Sequence, residues 1–451
     1  MARRYDEIPL IEVPSFGDID EVQGLPEYMA KIALEWGPIF RRLLQTDDQR
    51  ELELVYLVGP EANRLVFHTH RDHFSHEIGW TPFVGETFGH GLLNMDPPEH
   101  TRHRMMMNPA FTSAYMAAYL PIMRQIIEER TQSWPERDDV ELIEEARNIT
   151  FDVAAAALVS ARTGPVVDRL RQLFYAILHG FDSNAEAWEE FMERRKEIQN
   201  ELVGLLLPLI HARRAAPANG QQPDVLGMIV QARDEQGQEL SDEQVLAHVR
   251  ILLVAGHETT TIMGAWVLYL LATHPEQLAR VQAELDTTLG GPDEPITFEA
   301  IKATPLLGNA IKEAGRLQSP VTVLPRGVVK DFEFGGYMVP AGSTVRLAIA
   351  AGHRLPTIFA EPERFDPERF EPPREEEKRT PYALVTFGGG TRTCIGLNFA
   401  QIEVKALVAH VLRHYELQPV DSEEPEPMHG ITLFVPGGIH VRARRRALVP
   451  A

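Results

Sequence analysis

The sequence predicts a mainly α protein with small β-sheets (α+β), and three stretches carry that expectation. The first is residues 241–274. Ser241-Asp242-Glu243-Gln244 has the form of a capping box, and helical patterning then runs to His274, where Pro275 follows. At 1.5 Å per residue this makes a helix of about 50 Å, long enough to cross a large domain. The second is the glycine-rich run Phe387-Gly388-Gly389-Gly390-Thr391-Arg392-Thr393-Cys394-Ile395-Gly396. After it, Leu397, Ala400, Ile402, Val404, Leu407, Val408, Val411 and Leu412 recur at helical spacing. The third is a set of short strand-like pieces, Phe332-Glu333-Phe334, Tyr337-Met338-Val339 and Thr344-Val345-Arg346-Leu347, which imply a small sheet beside the helical body.

The remaining elements follow in chain order. The N-terminal Met-Ala-Arg-Arg-Tyr-Asp-Glu-Ile-Pro has no apolar core for a signal peptide, and no run of about 18 apolar residues announces a membrane span. Glu53 to Val58, before Gly59-Pro60, reads as a strand ending in a turn. Residues 74–94 read as a loop holding Trp80, Phe83, Phe88, Leu92 and Leu93 among several glycines. Aromatics on such a loop either cover a ligand or form a satellite core. Pro97-Pro98 then permits a helix to begin, with His100 and Arg104 on one face at i, i+4. Arg102 and His103 read as a solvated basic face, and Met105 to Met107 as core filler.

Residues 115–214 read as amphipathic helices. One begins at Phe151, and the stretch 165–213 carries Leu173, Phe174, Leu178 and Phe181. Ala215 to Gly220 has loop composition. Thr304-Pro305 starts a helix that stops before Pro320 and carries Glu313-Ala314-Gly315-Arg316, an i, i+3 pair. Near the end, Pro419 to His429 reads as an acidic loop, Ile431 to Phe434 as a strand, and Arg442 to Arg446 as a solvated basic tail. No internal repeat and no long linker divides the chain, so residues 1–451 are expected to form one domain.

Composition narrows the function classes. Hydrophobic residues at 44% and charged residues at 24% describe an ordinary globular protein. A formal net charge of −21 argues against nucleic acid or an anionic membrane as the main partner. The single cysteine, Cys394, fits a reducing compartment and excludes a disulfide scaffold. A lone cysteine is ordinarily an inert, buried, small hydrophobe. Its place at a helix N-terminus, after glycines that allow close backbone approach, instead favours a thiolate, as nucleophile or as single metal ligand.

The pattern Phe387-Gly388-x-Gly390-x-Arg392-x-Cys394-x-Gly396 resembles the haem-binding loop of the cytochrome P-450 family, in which the cysteine is the axial thiolate on iron. Three further segments agree with the family in order. Ala255-Gly256-His257-Glu258-Thr259-Thr260, in the middle of the long helix, resembles its oxygen-binding groove, with an acid followed by an alcohol. Glu313 and Arg316, with Arg369 of Phe365-Asp366-Pro367-Glu368-Arg369-Phe370, resemble its structural network. Arg364, in the near copy Pro362-Glu363-Arg364-Phe365, is a rival for the third place. The His100/Arg104 segment resembles the helix that supplies haem propionate partners. His353 and Leu355 depart from the family's usual Asn-Arg-Asp, which puts local turn contacts in doubt.

The resemblance implies the cytochrome P-450 fold, with helix 241–274 over the haem and loop 387–396 beneath it, and a single catalytic domain without a fused reductase. It implies a haem-thiolate monooxygenase of the soluble, bacterial type, cytoplasmic and monomeric. Such an enzyme carries haem b, uses O2 and inserts one oxygen atom into a hydrophobic molecule. Cys394 would ligate iron, and its thiolate would favour O–O cleavage. Phe387 would pack near the sulfur, and Gly388, Gly396 and the loop N–H groups would shape its surroundings. Arg392, Arg326, His100 and Arg104 would hold the propionates. Ala255 and Gly256 would open a notch facing the haem, Thr259 would hold the reacting oxygen with a water, and Glu258 would carry protons from solvent. His257 has no assigned role. Phe83, Phe88, Leu92, Leu252, Val321, Val323, Leu324, Leu433 and Phe434 are candidates for the substrate pocket. Terpenoids, steroids, fatty acyl chains and macrocycles all stay open as substrates.

Electrons from NAD(P)H would arrive through a separate ferredoxin or flavodoxin with its reductase. Lys405, Arg413 and His414 are candidates for local positive charge at that docking face. A peroxide-driven peroxygenase and a non-catalytic haem or ligand-binding protein are the alternatives. The intact Glu258-Thr259 pair argues against both.

Overall fold

The apolar residues of 242–273 leave no continuous polar face, and the helix they form is buried along most of its length. In the computed structural model, which describes all residues except 1, 12–24, 46–50, 162–163, 180–187, 216–223, 430–431 and 448–451, this helix is the axis of the molecule. The expected loop at 215–220 falls almost wholly outside the described residues, as do Phe181 and the start of the strand at Ile431. Helices of seven or more residues are α1 (Leu25–Trp36), α2 (His76–Phe88), α3 (Glu99–Met107), α4 (Ser113–Thr131), α5 (Leu142–Val159), α6 (Pro165–His179) and α7 (Trp188–Ala215). They continue with α8 (Val225–Gln231), α9 (Asp242–Thr273), α10 (Pro275–Leu289), α11 (Pro305–Leu317) and α12 (Leu397–His414).

The start of α9 is set by the expected capping box. Ser241 Oγ accepts from the Gln244 N–H, and the Gln244 side chain accepts from the Ser241 N–H. Helices α5, α7, α11 and α12 pack around it. Two glycines set the closest approaches. A Cβ on Gly264 would lie 2.9 Å from Leu407 of α12, and one on Gly315 of α11 would lie 2.9 Å from Met263. Met263 therefore fills the seam under α11. Among the described residues, α9 is also the one helix whose length and mean hydropathy would let it cross a membrane, although Arg250, His257 and Glu258 interrupt its apolar run. Its apolar window is 72% buried inside the fold, as befits a core helix.

The sheet is larger than the sequence suggested. β1 (Leu10–Ile11), β2 (Ile39–Gln45), β3 (Glu51–Leu57), β4 (Phe74–Ser75), β6 (Leu324–Val328) and β9 (Thr344–Leu347) form one six-stranded sheet in the order β1-β2-β3-β9-β6-β4. β9 pairs in parallel with β3 and antiparallel with β6, so Val345 stands between Val55 and Arg326. β7 (Phe332–Phe334) and β8 (Tyr337–Val339) form a separate hairpin. The basic tail is a strand as well. β13 (His440–Arg445) pairs with β10 (Tyr415–Pro419) and β5 (Val140–Glu141), burying Val441 and Ala443 while Arg442, Arg444 and Arg445 face solvent. β11 (Met428–His429) and β12 (Leu433–Phe434) form a short hairpin whose Thr432 bridges to Val321.

The stretch 74–94 is mostly a helix. Ser75 caps α2 by accepting from the Ile78 N–H. The glycines that signalled a loop serve close packing: a Cβ on Gly79 would lie 2.6 Å from the Pro325 carbonyl of β6. Trp80 and Phe88 are accordingly buried. In α3 the pattern also misled. His103 is fully buried and Met105 is exposed, while Met106 and Met107 are core. The ring of His103 lies 2.8 Å from that of His248 in α9, so His103 belongs to a helix–helix contact, while Arg102 stays partly exposed and pairs with Asp234 (2.6 Å).

Three deeply buried histidines make stability pH-dependent. Burial, and then neighbouring positive charge, holds His248, His353 and His429 down to about 3. The unfolded chain binds protons at these positions below about pH 6.5, whereas the fold does not. Their contribution is therefore fully present above pH 6.5 and declines as pH falls toward 3, by up to about 1.4 kcal/mol per pH unit for each group. Urea midpoints are expected to drop steeply between pH 7 and 5. A flat profile over that range would contradict the neutral assignment.

Candidate active site

The cysteine loop is closed by its own backbone. Cys394 N–H donates to the Phe387 carbonyl (2.8 Å) and Gly388 N–H to the Val385 carbonyl (2.8 Å). Gly388 and Gly390 adopt positive φ of 70° and 59°. A Cβ on Gly390 would collide with the Phe67 carbonyl, so the loop is pressed onto the 65–69 turn. Cys394 sits before α12, capped by Gly396. Its side chain is deep in the fold yet borders open space. Burial pushes the thiol up, while the Gly396 N–H, the Arg104 charge and the Leu397 N–H pull it down without prevailing. The helix end alone thus does not secure a thiolate. A metal cation would, because a coordinating thiol is deprotonated outright.

Near the same end of α12, basic side chains from four segments converge, the cations among them being Arg326, Arg392 and Arg104. Arg326 is 2% exposed, with Nη1 donating to the Pro325 carbonyl (2.6 Å) and Nε without a partner. Burial and then Arg392 lower it to about 9. Arg392 donates to the Met95 carbonyl (2.8 Å), stands 3.7 Å from Asp96, and is lowered by burial to about 10. His100 is held to about 3 by burial, then by Arg392 and Arg104. His76, which the sequence reading passed over, is pushed well down by burial, then by Arg326, Arg392 and His100, and its Nδ1 has no partner. Asp96 offsets part of the charge of Arg326 and Arg392, and it is already engaged by Ser75 Oγ (2.5 Å) and the His76 N–H (2.7 Å). Buried cationic excess is costly unless an anion meets it. The two propionates of a haem would supply that charge, and Cys394 would supply a ligand for its iron. The residues present fit the group.

In α9 the exposure pattern marks a groove. Ala255 is exposed and Thr259 half-exposed, one turn apart, in a helix otherwise mostly buried. Thr259 Oγ1 donates to the Ala255 carbonyl (2.8 Å) and Thr260 Oγ1 to the Gly256 carbonyl (2.6 Å). Such back-bonds loosen a helix locally. Glu258 is buried, with Arg147 Nε of α5 at 3.3 Å and His257 Nε2 at 3.0 Å from its Oε1. Below this turn, Glu403 of α12 is fully buried facing Thr260, with neither oxygen well bonded, and burial raises it far above the usual carboxylate range. A glutamate within an apolar helical run is the signal that could have singled it out.

Glu313, Arg316 and Arg369 form one buried network. Glu313 accepts from Arg316 (2.8 and 2.9 Å), from Arg369 Nε (2.9 Å) and from the Asp366 N–H (3.0 Å). Arg369 also reaches Glu376 (2.8 Å), a member absent from the sequence reading. The rival Arg364 is solvent-exposed and pairs with Glu361. The departure at His353 has its own contacts: its carbonyl accepts from Arg316 (2.9 Å) and its Nε2 from the Val385 N–H (3.0 Å), just ahead of the cysteine loop.

The pocket candidates do not share one environment. Phe88 stacks on Phe174 in the main core at 6.4 Å, and Leu92 and Leu252 are also buried. Phe83 is exposed, with the Arg346 guanidinium 5.3 Å over its ring. Val321, Val323 and Leu324 are half-buried, and the 433–434 strand is brought to Val321 by the Leu433 N–H bonding the Pro320 carbonyl (3.1 Å). Leu433 is buried and Phe434 exposed. The docking candidates Lys405 and Arg413 are committed inside: Lys405 bonds the Thr304 carbonyl (2.9 Å), and the buried Arg413 bonds carbonyls of residues 289–294.

Comparison with known proteins gives a consistent answer. The family model described as Cytochrome P450 matches residues 9–441. The chain is 30% identical to cytochrome P450 136 of Mycobacterium tuberculosis, over 89% of this chain and 80% of that one. It is 29% identical to the sterol 14alpha-demethylase of Mycolicibacterium vanbaalenii, over 82% and 83%. The retinoic acid-bound cyanobacterial CYP120A1 superposes with a TM-score of 0.85 at 25% identity, covering 99% of this chain and 100% of that one.

Proposed function

We propose, from the premise that this chain belongs to the cytochrome P450 family and is a haem-thiolate monooxygenase using O2, that it hydroxylates or epoxidises an apolar, isoprenoid-derived small molecule. Its electrons come from NAD(P)H through a separate ferredoxin or flavodoxin and its reductase. The substrate class is supported by the sterol named for one relative and the retinoic acid named for a structural neighbour. Apolar candidates at Val321, Val323 and Leu324 agree with it.

Bound haem, ligated by Cys394, supplies the electron-rich iron at which O2 is split. Arg326, Arg392, Arg104 and His100 hold its propionates, joined by His76. The observation that carries the reading is the half-exposed Thr259 beside the buried Glu258 on α9. With its proton given to the Ala255 carbonyl, Thr259 Oγ1 offers lone pairs outward and can accept from a water or a protonated oxygen. Glu258, held by Arg147 and His257, stands one residue away as the proton carrier.

Thr259→Ala removes that acceptor. It is expected to keep haem and substrate binding while lowering product formed per NAD(P)H several-fold and raising peroxide release correspondingly. Undiminished coupling in the variant would overturn the assignment of Thr259.

A further inference from the structure

We infer that the substrate carries a carboxylate, and that Arg346 of β9, with Tyr56 of β3 beside it, takes that carboxylate at one end of the apolar pocket. The inference rests on the reading of an isoprenoid-derived substrate and names the polar group such a molecule bears. It starts from strand register. β3 and β9 run parallel with Tyr56 opposite Arg346, and β2 places Phe40 opposite Tyr56. Residues two apart along a strand share a face, so Arg42 joins Phe40, Tyr56 and Arg346 on one side of the sheet. Two of the pocket candidates meet them there. The Phe83 ring of α2 lies 5.3 Å from the Arg346 guanidinium, and Val323 packs against the cluster that holds Phe40, Leu54 and Tyr56. The sheet thus brings Arg42, Tyr56 and Arg346 to the border of apolar surface.

What Arg346 lacks is an anion. It is only 8% exposed, and among the described residues no carboxylate pairs with it. Its Nη1 makes one long bond, to the Val345 carbonyl (3.4 Å). Other arginines of this region differ. On the opposite face of β2, Arg41 pairs with Glu53 (2.7 Å), and the buried Arg354 pairs with Glu27 of α1 (2.5 Å). Burial lowers Arg346, and Tyr56 is the group that offsets it. Burial in turn raises the Tyr56 phenol, while Arg42 and then Arg346 pull it down without prevailing. A guanidinium taken out of water is costly unless an anion meets it, and the face of Phe83 offers only a partial negative charge.

A carboxylate matches these donors. The planar guanidinium fork takes both of its oxygens, and the Tyr56 hydroxyl is a further donor at the same place. Phe83 covers the ion pair from the α2 side, and the hydrocarbon lies along Val323. An ester or alcohol of the same chain brings no charge, so it leaves the guanidinium buried and unpaired. The site therefore selects by head group, whereas the apolar surface alone selects only by shape.

The test uses the ferric, haem-loaded protein and two matched pairs: farnesoic acid with methyl farnesoate, and palmitic acid with methyl palmitate. Binding is read by equilibrium dialysis and by the Soret shift. Farnesoic acid is expected to bind at least about tenfold more tightly than its ester. Arg346→Gln is expected to abolish this preference by weakening the acid alone. Arg346→Lys is expected to keep part of it, because a point charge remains without the fork. An arginine that serves only the fold would change acid and ester equally, and that result would overturn the proposal. Equal binding of acid and ester by the parent protein in both pairs would overturn it as well. If neither farnesyl compound binds while palmitic acid outbinds its ester through Arg346, the isoprenoid reading falls and the carboxylate site stands.

Discussion

Cys394→Ser is expected to yield a folded protein whose reduced, carbon monoxide-treated form lacks the strongly red-shifted Soret band that the parent shows. The loop does not depend on sulfur for its shape. It is closed by the Cys394 N–H to Phe387 carbonyl bond and by the positive-φ glycines, all of which serine leaves in place. What changes is the donor. A serine hydroxyl is far harder to deprotonate than a thiol, and burial already opposes charge at this position. An oxygen ligand cannot push electron density onto iron as a thiolate does. Monooxygenase turnover should fall by at least about 1,000-fold, equivalent to roughly 4 kcal/mol of barrier. The spectrum separates two failures. A parent without the red shift would remove the thiolate. A serine variant that kept it would show that Cys394 is not the ligand.

Glu313→Ala should cost the fold more than any other single change considered. The carboxylate, Arg316 and Arg369 are all fully buried. Glu313 accepts from both arginines and caps the Asp366 N–H. Deleting one partner of a buried ion pair typically costs about 3–5 kcal/mol, because the charge left behind has no water to turn to. Arg369 would be left with Glu376, which also holds Arg374 (2.7 Å), and Arg316 with only the carbonyls of His353 and Arg364. Against a total stability on the order of 5–15 kcal/mol, that loss threatens folding itself. The expected result is little haem-loaded protein and, in what survives, a urea midpoint shifted far down. Arg364→Ala is the matched control, since Arg364 is exposed, and should change stability by less than about 0.5 kcal/mol. A Glu313→Ala protein losing under about 1 kcal/mol would refute the network as a source of stability.

Some misreadings share one cause. Glycines at 79 and 85 looked like loop residues because, along the chain, a glycine that permits a turn and one that makes room for a neighbour are the same letter. In space they differ: Gly79 is helical and lies against the Pro325 backbone. Positive charges misled in the same way. His103 and Arg413 look solvated in sequence. Yet His103 meets His248, and Arg413 satisfies carbonyls of a distant turn.

The sequence by itself determined the cysteine loop, the long helix with its cap, and the helix carrying Glu313 and Arg316, together with the family they imply. These signals are local: glycine torsions, a capping box four residues long, and apolar spacing within one helix. Only the tertiary structure decided that Arg369 and not Arg364 completes the network, across a separation of 56 residues from Glu313. It likewise decided that His76 joins the basic cluster beside Arg326 and Arg392, that β3 and β9 pair, and that His257 and Arg147 lie against Glu258. Burial and partnership arise where remote segments meet, and a buried charge takes its state from the groups around it rather than from its neighbours in the chain.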